Sequence, residues 1–224
     1  LAVNFDAVFE KLALELTPEQ KQAVLSAVRN RLAIITGGPG TGKTTIIRAI
    51  IEILKANGKS ILIAAPTGRA AKRIEESSLC QASTIHRLLK FNPETRQFVH
   101  NAQNPLRTDA IIVDEFSMVD SYVLFALLQA LADHTQLIVI GDKDQLPSVG
   151  PGNVLRDMIQ SGYFNTIYLS RNFRQNQDSL IVENAFRVNS GEPLLFPAPD
   201  PELDFVFLPV QNEAQVLQKV ESIV

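Results

Sequence analysis

A chain of 224 residues, 46% hydrophobic, carries enough apolar material for one large domain, or for one domain and part of another, at about 100–200 residues per domain. A net charge of −3 argues against a protein that coats nucleic acid with its whole surface, and the single cysteine, Cys80, rules out an internal disulfide and suits a reducing cytoplasm. With no run of about 18 apolar residues and no charged-then-apolar leader, the sequence predicts a cytoplasmic protein without membrane span or secretory signal, and a start at Leu1 fits an excised fragment or processed product.

In chain order, residues 1–16 have the spacing of a short amphipathic helix and read as the tail of a preceding region. The β-branched run Leu32–Thr36 predicts a buried strand. Ile46, Ile47, Ile50, Ile51 and Leu54 predict a helix over 44–57, stopped by Gly58. Between them, Gly37-Gly38-Pro39-Gly40-Thr41-Gly42-Lys43-Thr44-Thr45 fills every fixed position of G-x-x-x-x-G-K-[ST] in its strand–loop–helix context. The glycines let backbone N–H groups turn inward around an anion, and the helix N-terminus adds the positive end of its dipole. Lys43 is then expected to reach the β- and γ-phosphates of a nucleoside triphosphate, and Thr44 to offer its hydroxyl to Mg²⁺.

Ser60–Ala65, Ala110–Asp114, Gln136–Gly141 and Asn165–Leu169 predict four more strands, separated by helices near 68–77, 84–90, 120–132 and 153–161. The alternation predicts an α/β fold, a parallel sheet with helices on both faces, since each strand is a continuous apolar run. Anions bind such sheets beyond the strand carboxyl ends, where the Gly37 loop, Asp114 and Gly141 fall. Between residues 66 and 107, seven basic side chains against three acidic ones leave +4, a local path for a polyanion.

Ile111-Ile112-Val113-Asp114-Glu115 ends a strand in two carboxylates: Asp114 is expected to hold Mg²⁺, directly or through water, and Glu115 to take a proton from the attacking water. In Gly141-Asp142-Lys143-Asp144-Gln145-Leu146-Pro147, the Gln145 carboxamide is placed to hydrogen-bond a γ-phosphate or its water. Leu169-Ser170-Arg171-Asn172-Phe173-Arg174-Gln175 carries two guanidinium groups, either able to neutralise charge on a transferred phosphoryl; spacing does not choose between them. The prolines between Pro193 and Pro201 mark the best boundary, followed by a strand-like run Asp204–Pro209 and a helical pattern Glu213–Val224.

Leu16-Thr17-Pro18-Glu19-Gln20, Gly37–Thr45, Ala65-Pro66-Thr67-Gly68-Arg69-Ala70-Ala71, Ala82-Ser83-Thr84-Ile85-His86-Arg87-Leu88-Leu89, Asp114–Val119, Gly141–Pro147 and Phe173-Arg174-Gln175 occur in the order found in the superfamily 1B DNA helicases. The series most resembles the RecD type, the exodeoxyribonuclease V alpha-subunit family, over roughly residues 12–195. The resemblance implies a RecA-like P-loop NTPase fold, ATP with Mg²⁺, hydrolysis coupled to movement on single-stranded DNA with 5′-to-3′ polarity, a place in DNA repair and recombination, and other helicase or nuclease subunits as partners. It further implies that Gln20 hydrogen-bonds adenine and that Arg174 contacts the γ-phosphate, leaving Arg171 without such a role. Pro66, Thr67, Thr84 and His86 match segments that line the single-strand path, where hydroxyls and amides grip phosphates without reading bases.

The expected organisation is therefore a tail of a missing N-terminal region (1–16), a first RecA-like ATPase motor domain (17–195), and a linker with the start of a following domain (196–224). The family carries a second RecA-like domain, and nothing after Asp204 is long enough to supply it, so the chain alone is expected not to unwind DNA. Two readings compete: a nucleotide-gated DNA-binding or scaffolding subunit without unwinding of its own, and a P-loop ATPase with no DNA role.

Overall fold

The computed structural model describes residues 16–169, 179–196 and 204–221. The chain separates into two compact units, Leu1–Asn172 and Phe173–Val224, and Pro193 lies inside the second.

The first unit opens with α1 (Pro18–Arg29), which the hydrophobic spacing did not reveal. Its start is a capping box: the Thr17 hydroxyl accepts from the Gln20 N–H, the Gln20 side chain accepts from the Thr17 N–H, and Pro18 takes a first-turn position where no donor is needed. Then follow β1 (Leu32–Gly37), α2 (Lys43–Ala56), β2 (Ile61–Ala65), α3 (Gly68–Ser78), β3 (Ser83–Thr84) and α4 (Ile85–Leu88). Lys90 has a left-handed φ of 53°, and the chain turns there into a small antiparallel hairpin, β4 (Phe91–Asn92) with β5 (Gln97–Phe98), so α4 ends before the predicted residue 90. β6 (Ala110–Val113), a 3₁₀ turn (Phe116–Met118), α5 (Ser121–Gln129), β7 (Gln136–Gly141), α6 (Val154–Gln160) and β8 (Asn165–Leu169) complete the unit.

The six strands lie in the order β3-β2-β6-β7-β1-β8, and every pair is parallel. Because side chains alternate along a strand, the apolar runs feed two cores. Ile35, Ile63, Ile112, Ile138 and Ile140 pack with α1, α2 and α3 on one face. Ile34, Ala64, Ile111, Val113, Leu137 and Val139 pack with Ile85, Phe116, Leu127 and Leu155 on the other. This is the expected parallel sheet with helices on both faces. Thr36 of β1 pairs with Gly141 of β7, and Val113 of β6 with Val139, so the exits of three central strands open at one end of the sheet.

In the second unit, α7 (Leu180–Asn189) and α8 (Glu213–Glu221) form. The buried Asn184 exchanges two hydrogen bonds with Leu195, its Nδ2 donating to the carbonyl at 3.1 Å and its Oδ1 accepting from the N–H at 2.7 Å. The strand expected over Asp204–Pro209 is not formed. A strand needs a neighbour to take its N–H and C=O groups, and Pro209 removes one donor; Phe205 and Phe207 instead contact the ring of Phe196. Among the described residues no helix is long and apolar enough to cross a membrane. The helix expected over residues 1–16 lies almost wholly outside the described residues.

Ile50 of α2 is fully buried, whereas Arg48 on the same helix is exposed. Ile50→Ala should cost about 2–5 kcal/mol through lost burial and a residual cavity, and Arg48→Ala no more than about 0.5 kcal/mol. Urea denaturation checks both: the midpoint falls for the first at unchanged slope and stays for the second.

Candidate functional site

β1 delivers the loop Gly37–Gly42 to the first turn of α2. Gly40 and Gly42 have φ of 72° and 83°, which a side chain would strain, and a Cβ at 42 would also collide with the Gln20 amide. The loop is braced by three donors. The Thr41 hydroxyl donates to the Gly38 carbonyl at 2.9 Å, Lys43 Nζ donates to the carbonyls of Gly37 and Gly38 at 2.7 and 2.9 Å, and Gln20 Nε2 donates to the Thr41 carbonyl at 3.0 Å. One buried carboxamide therefore closes the capping box of α1 and clamps the loop. Any contact of Gln20 with a base would have to use its remaining N–H and lone pair. Pro39 and Gly40 form the exposed tip, and Thr44 and Thr45 lie half-buried in the first turn of α2.

Asp114 and Glu115 follow β6. Glu115 has φ 51°, a left-handed conformation that costs a non-glycine residue roughly 1–2 kcal/mol, and it caps the 3₁₀ turn whose Phe116 is fully buried. Burial pushes the Asp114 carboxyl up to about 6; the Glu115 N–H, Lys43 and Arg73 pull the other way. Asp114 Oδ1 is buried without a hydrogen-bond partner. Burial likewise pushes Lys43 below its ordinary range, while Asp142, then Asp114 and Glu115, hold its proton on.

Asp142, which sequence reasoning left out of the site, is thus the carboxylate that acts most strongly on Lys43. It is buried at the end of β7, and its Oδ1 accepts from the Asp144 N–H at 3.0 Å. The signal was present: Ile140-Gly141-Asp142 is a second apolar strand ending in an acid. Next to it, the Lys143 N–H donates to the Thr36 hydroxyl at 3.1 Å and ties β7 to β1. Gln145 is exposed in the same loop, and its N–H donates to the Asp142 carbonyl at 3.3 Å. Arg171 and Arg174 lie outside the described residues.

Pro66, Thr67 and His86 come together with Met118, Val123 and Val149 around a groove of about 250 Å³. Thr84 ends β3, whose partner Ala65 immediately precedes Pro66. Both threonine hydroxyls already act as helix caps: Thr67 accepts from the Ala70 N–H and Thr84 from the Arg87 N–H, each at 3.2 Å. Each still has its own O–H to donate to a phosphate. The His86 ring packs on Phe91 and Phe98, with centroids 5.5 and 5.6 Å apart, and Phe98 packs on Tyr122 at 5.9 Å. His86 therefore also anchors the β4–β5 hairpin, a role that only the fold reveals. Met118, Val123 and Val149 were not legible as groove residues, because single apolar side chains in loops and helices carry no motif.

A family model described as AAA domain matches residues 20–151, more than half of the chain. The chain belongs to the AAA domain family. It is 37% identical over 186 residues to the ATP-dependent RecD2 DNA helicase of Deinococcus radiodurans, covering 83% of this chain and 26% of that protein. It is 38% identical over 190 residues to the RecBCD enzyme subunit RecD of Haemophilus influenzae, covering 71% of this chain and 30% of that one. The chain thus spans between a quarter and a third of the length of these relatives. The crystal structure of Pif1 helicase from Candida albicans superposes with a TM-score of 0.63 at 25% identity, over 80% of this chain and 45% of that one. The family is one of nucleotide-binding proteins.

Among the described residues, no three of His, Cys, Asp and Glu converge into an all-protein metal cage. The orphaned, buried Asp114 oxygen suits a hard divalent cation that keeps phosphate and water oxygens in the rest of its shell. The raised Asp114 value fixes a sign. The folded chain binds the Asp114 proton more tightly than the unfolded one, so between about pH 4 and pH 6 stability falls as pH rises, and above that the full penalty remains. Asp114→Asn should therefore raise the melting temperature of the nucleotide-free chain at pH 7.5, by on the order of 2 kcal/mol in stability, with the gain shrinking as pH falls from 6 towards 4. Thermal melts across that range check it, and a pH-independent difference would contradict the burial argument.

Proposed function

We propose that the chain is the first RecA-like motor domain of an ATP-dependent DNA helicase, hydrolysing ATP with Mg²⁺ and coupling turnover to movement along single-stranded DNA, 5′-to-3′ by resemblance. The observation that carries the reading is the placement of Lys43, Asp114, Glu115 and Asp142 at one end of the sheet, in the same unit as a groove lined by Pro66, Thr67 and His86. The similarity to an ATP-dependent DNA helicase and to subunits of the RecBCD enzyme supports it.

In this reading the loop amides from Gly37 to Thr45 hold the phosphates, and Lys43 exchanges the carbonyls of Gly37 and Gly38 for β- and γ-phosphate oxygens. Thr44 and Asp114 would hold Mg²⁺, which when bound neutralises charge on the phosphate oxygens. Glu115 accepts a proton from the attacking water as its oxygen bonds to the γ-phosphorus and the bond to the bridging oxygen breaks, leaving ADP and phosphate. Gln145 orients that water or the γ-phosphate, and Arg174 neutralises the developing charge. Thr67 and Thr84 donate hydroxyl hydrogens to phosphates of the strand, and Pro66 and His86 line its path. Movement needs a second lobe to close against, and the subunits that accompany the relatives are the class of partner expected.

Two measurements on the full-length parent test this. Single-stranded DNA should stimulate ATP hydrolysis, with Lys43→Ala abolishing turnover and Glu115→Gln keeping ATP affinity while lowering kcat at least about 10²-fold. An unstimulated rate, or equal hydrolysis by Lys43→Ala, would remove the motor reading. Arg174→Ala should lower turnover by about 10²-fold or more while Arg171→Ala leaves it within a few-fold, and the opposite ranking would show that the motif is misaligned.

A further inference from the structure

We infer that the outer edge of β2 is a docking slot for an extended segment of a partner polypeptide, which joins the sheet as a further strand with a basic and an acidic side chain at adjacent positions. β2 is paired with β6 along Ile61–Ala64, but β3 pairs only with Ala64 and Ala65. The N–H groups of Ala110 and Asp114 donate to the carbonyls of Ser60 and Ala64, so the even-numbered residues here turn their backbone groups towards β6. Alternation along the strand turns those of Ile61 and Ile63 the other way. Among the described residues, no backbone group of residues 79–82 hydrogen-bonds to the N–H or C=O of Ile61 or to the N–H of Ile63. The cause lies at the end of α3: Leu79 takes a left-handed φ of 55°, and the chain joins the sheet only at Ser83.

Beside this bare edge is a cavity of about 450 Å³, lined by Leu62 and Ile63 of β2, by Gln81, Ala82 and Ser83, and by the side chains of Glu75 and Arg87. N–H and C=O groups left open at strand spacing are a template that another polypeptide backbone matches and a nucleic acid strand does not. The walls then select the side chains of the occupant. α3 packs on the face of the sheet that carries Ile63, and Ile85 and Leu89, at either end of α4, pack on the opposite face. Glu75 of α3 and Arg87 of α4 therefore present opposite charges from opposite faces of one slot. Both residues are exposed, and among the described residues neither has an ion-pair partner. A strand sends successive side chains to opposite faces, so a basic residue next to an acidic one meets both charges at once. A polyanion would gain at Arg87 what it loses at Glu75.

The test is fluorescence anisotropy of a labelled hexapeptide, Val-Thr-Lys-Glu-Val-Thr, titrated with the chain in the absence of nucleotide. Binding should be saturable. Of two analogues N-methylated at alternate amides, the one whose methyl groups face β2 should bind about 10-fold more weakly or worse, and the other within about two-fold of the parent peptide, since only the first loses donors to the sheet. Arg87→Glu should weaken the Lys-Glu peptide about two- to five-fold and strengthen a Lys-Lys version by a similar factor, the range an exposed ion pair covers. Glu75→Lys should do the same in favour of a Glu-Glu version. Both positions are exposed, so the melting temperature should not move, and the peptide analogues test the slot with the natural chain unaltered. No saturable binding, equal affinity for the two N-methylated analogues, or indifference to both charge reversals overturns the inference. Competitive displacement of the peptide by oligo-dT would give the slot to nucleic acid. Concentration-dependent dimerisation of the chain alone, abolished by Arg87→Glu, would give it to a second copy, and either result overturns the partner polypeptide. None of these readouts involves ATP turnover, so the motor reading stands or falls apart from them.

Discussion

The strand exits of the sheet gather around a half-buried lysine that is kept charged. Burial works against the Lys43 ammonium, and three carboxylates from two other strand exits, with two loop carbonyls, work for it. Asp114 is itself pushed towards its neutral form by burial, and one of its oxygens has no hydrogen-bond partner. Such a cluster is unfavourable as packing, and under the proposed function a triphosphate and its cation bring the charges that the site lacks. The stability given up here is supplied by the two apolar cores on either side of the sheet.

What allows the cluster to form is strand order. β1 lies between β7 and β8, and β7 lies between β1 and β6, so the loop after β1 and the acids after β6 and β7 meet although the sequence separates Lys43 from Asp142 by about a hundred positions. Gln20 adds a constraint from outside the sheet. Its carboxamide serves the cap of α1 and the Thr41 carbonyl together, so the entry angle of α1 and the shape of the loop are fixed by one side chain.

The five long strands and the helix after the phosphate loop were legible because apolar periodicity reports burial, and burial decides these elements. The loop itself was legible because its glycines and Lys43 have no other economical use together. Three things were hidden for physical reasons. α1 is set by a capping box and not by a strong apolar stripe, so Thr17 and Gln20, and not periodicity, carried the signal. β3, β4 and β5 are two residues each, too short for a period to register. The run from Asp204 to Pro209 has the composition of a strand, but composition cannot supply the neighbouring edge that a strand requires. At the candidate site, the structural uses of the residues that the sequence singled out were not legible: Thr67 and Thr84 cap helices, and His86 holds a hairpin.

Those second uses explain how two sites of different chemistry can share a domain of this size. The 3₁₀ turn begins at Glu115 and ends at Met118, which lines the groove, and its Phe116 is anchored in the core between them. The loop after β7 runs from Asp142 through Gln145 to Val149, again from the lysine cluster to the groove wall. Phe116 is buried, and the loop after β7 is tied at its start, where the Lys143 N–H donates to Thr36 and the Asp144 N–H to Asp142, so both connections are anchored on the lysine side. Adjacency along the backbone, more than any contact across open space, is what joins the groove wall to Glu115 and Asp142.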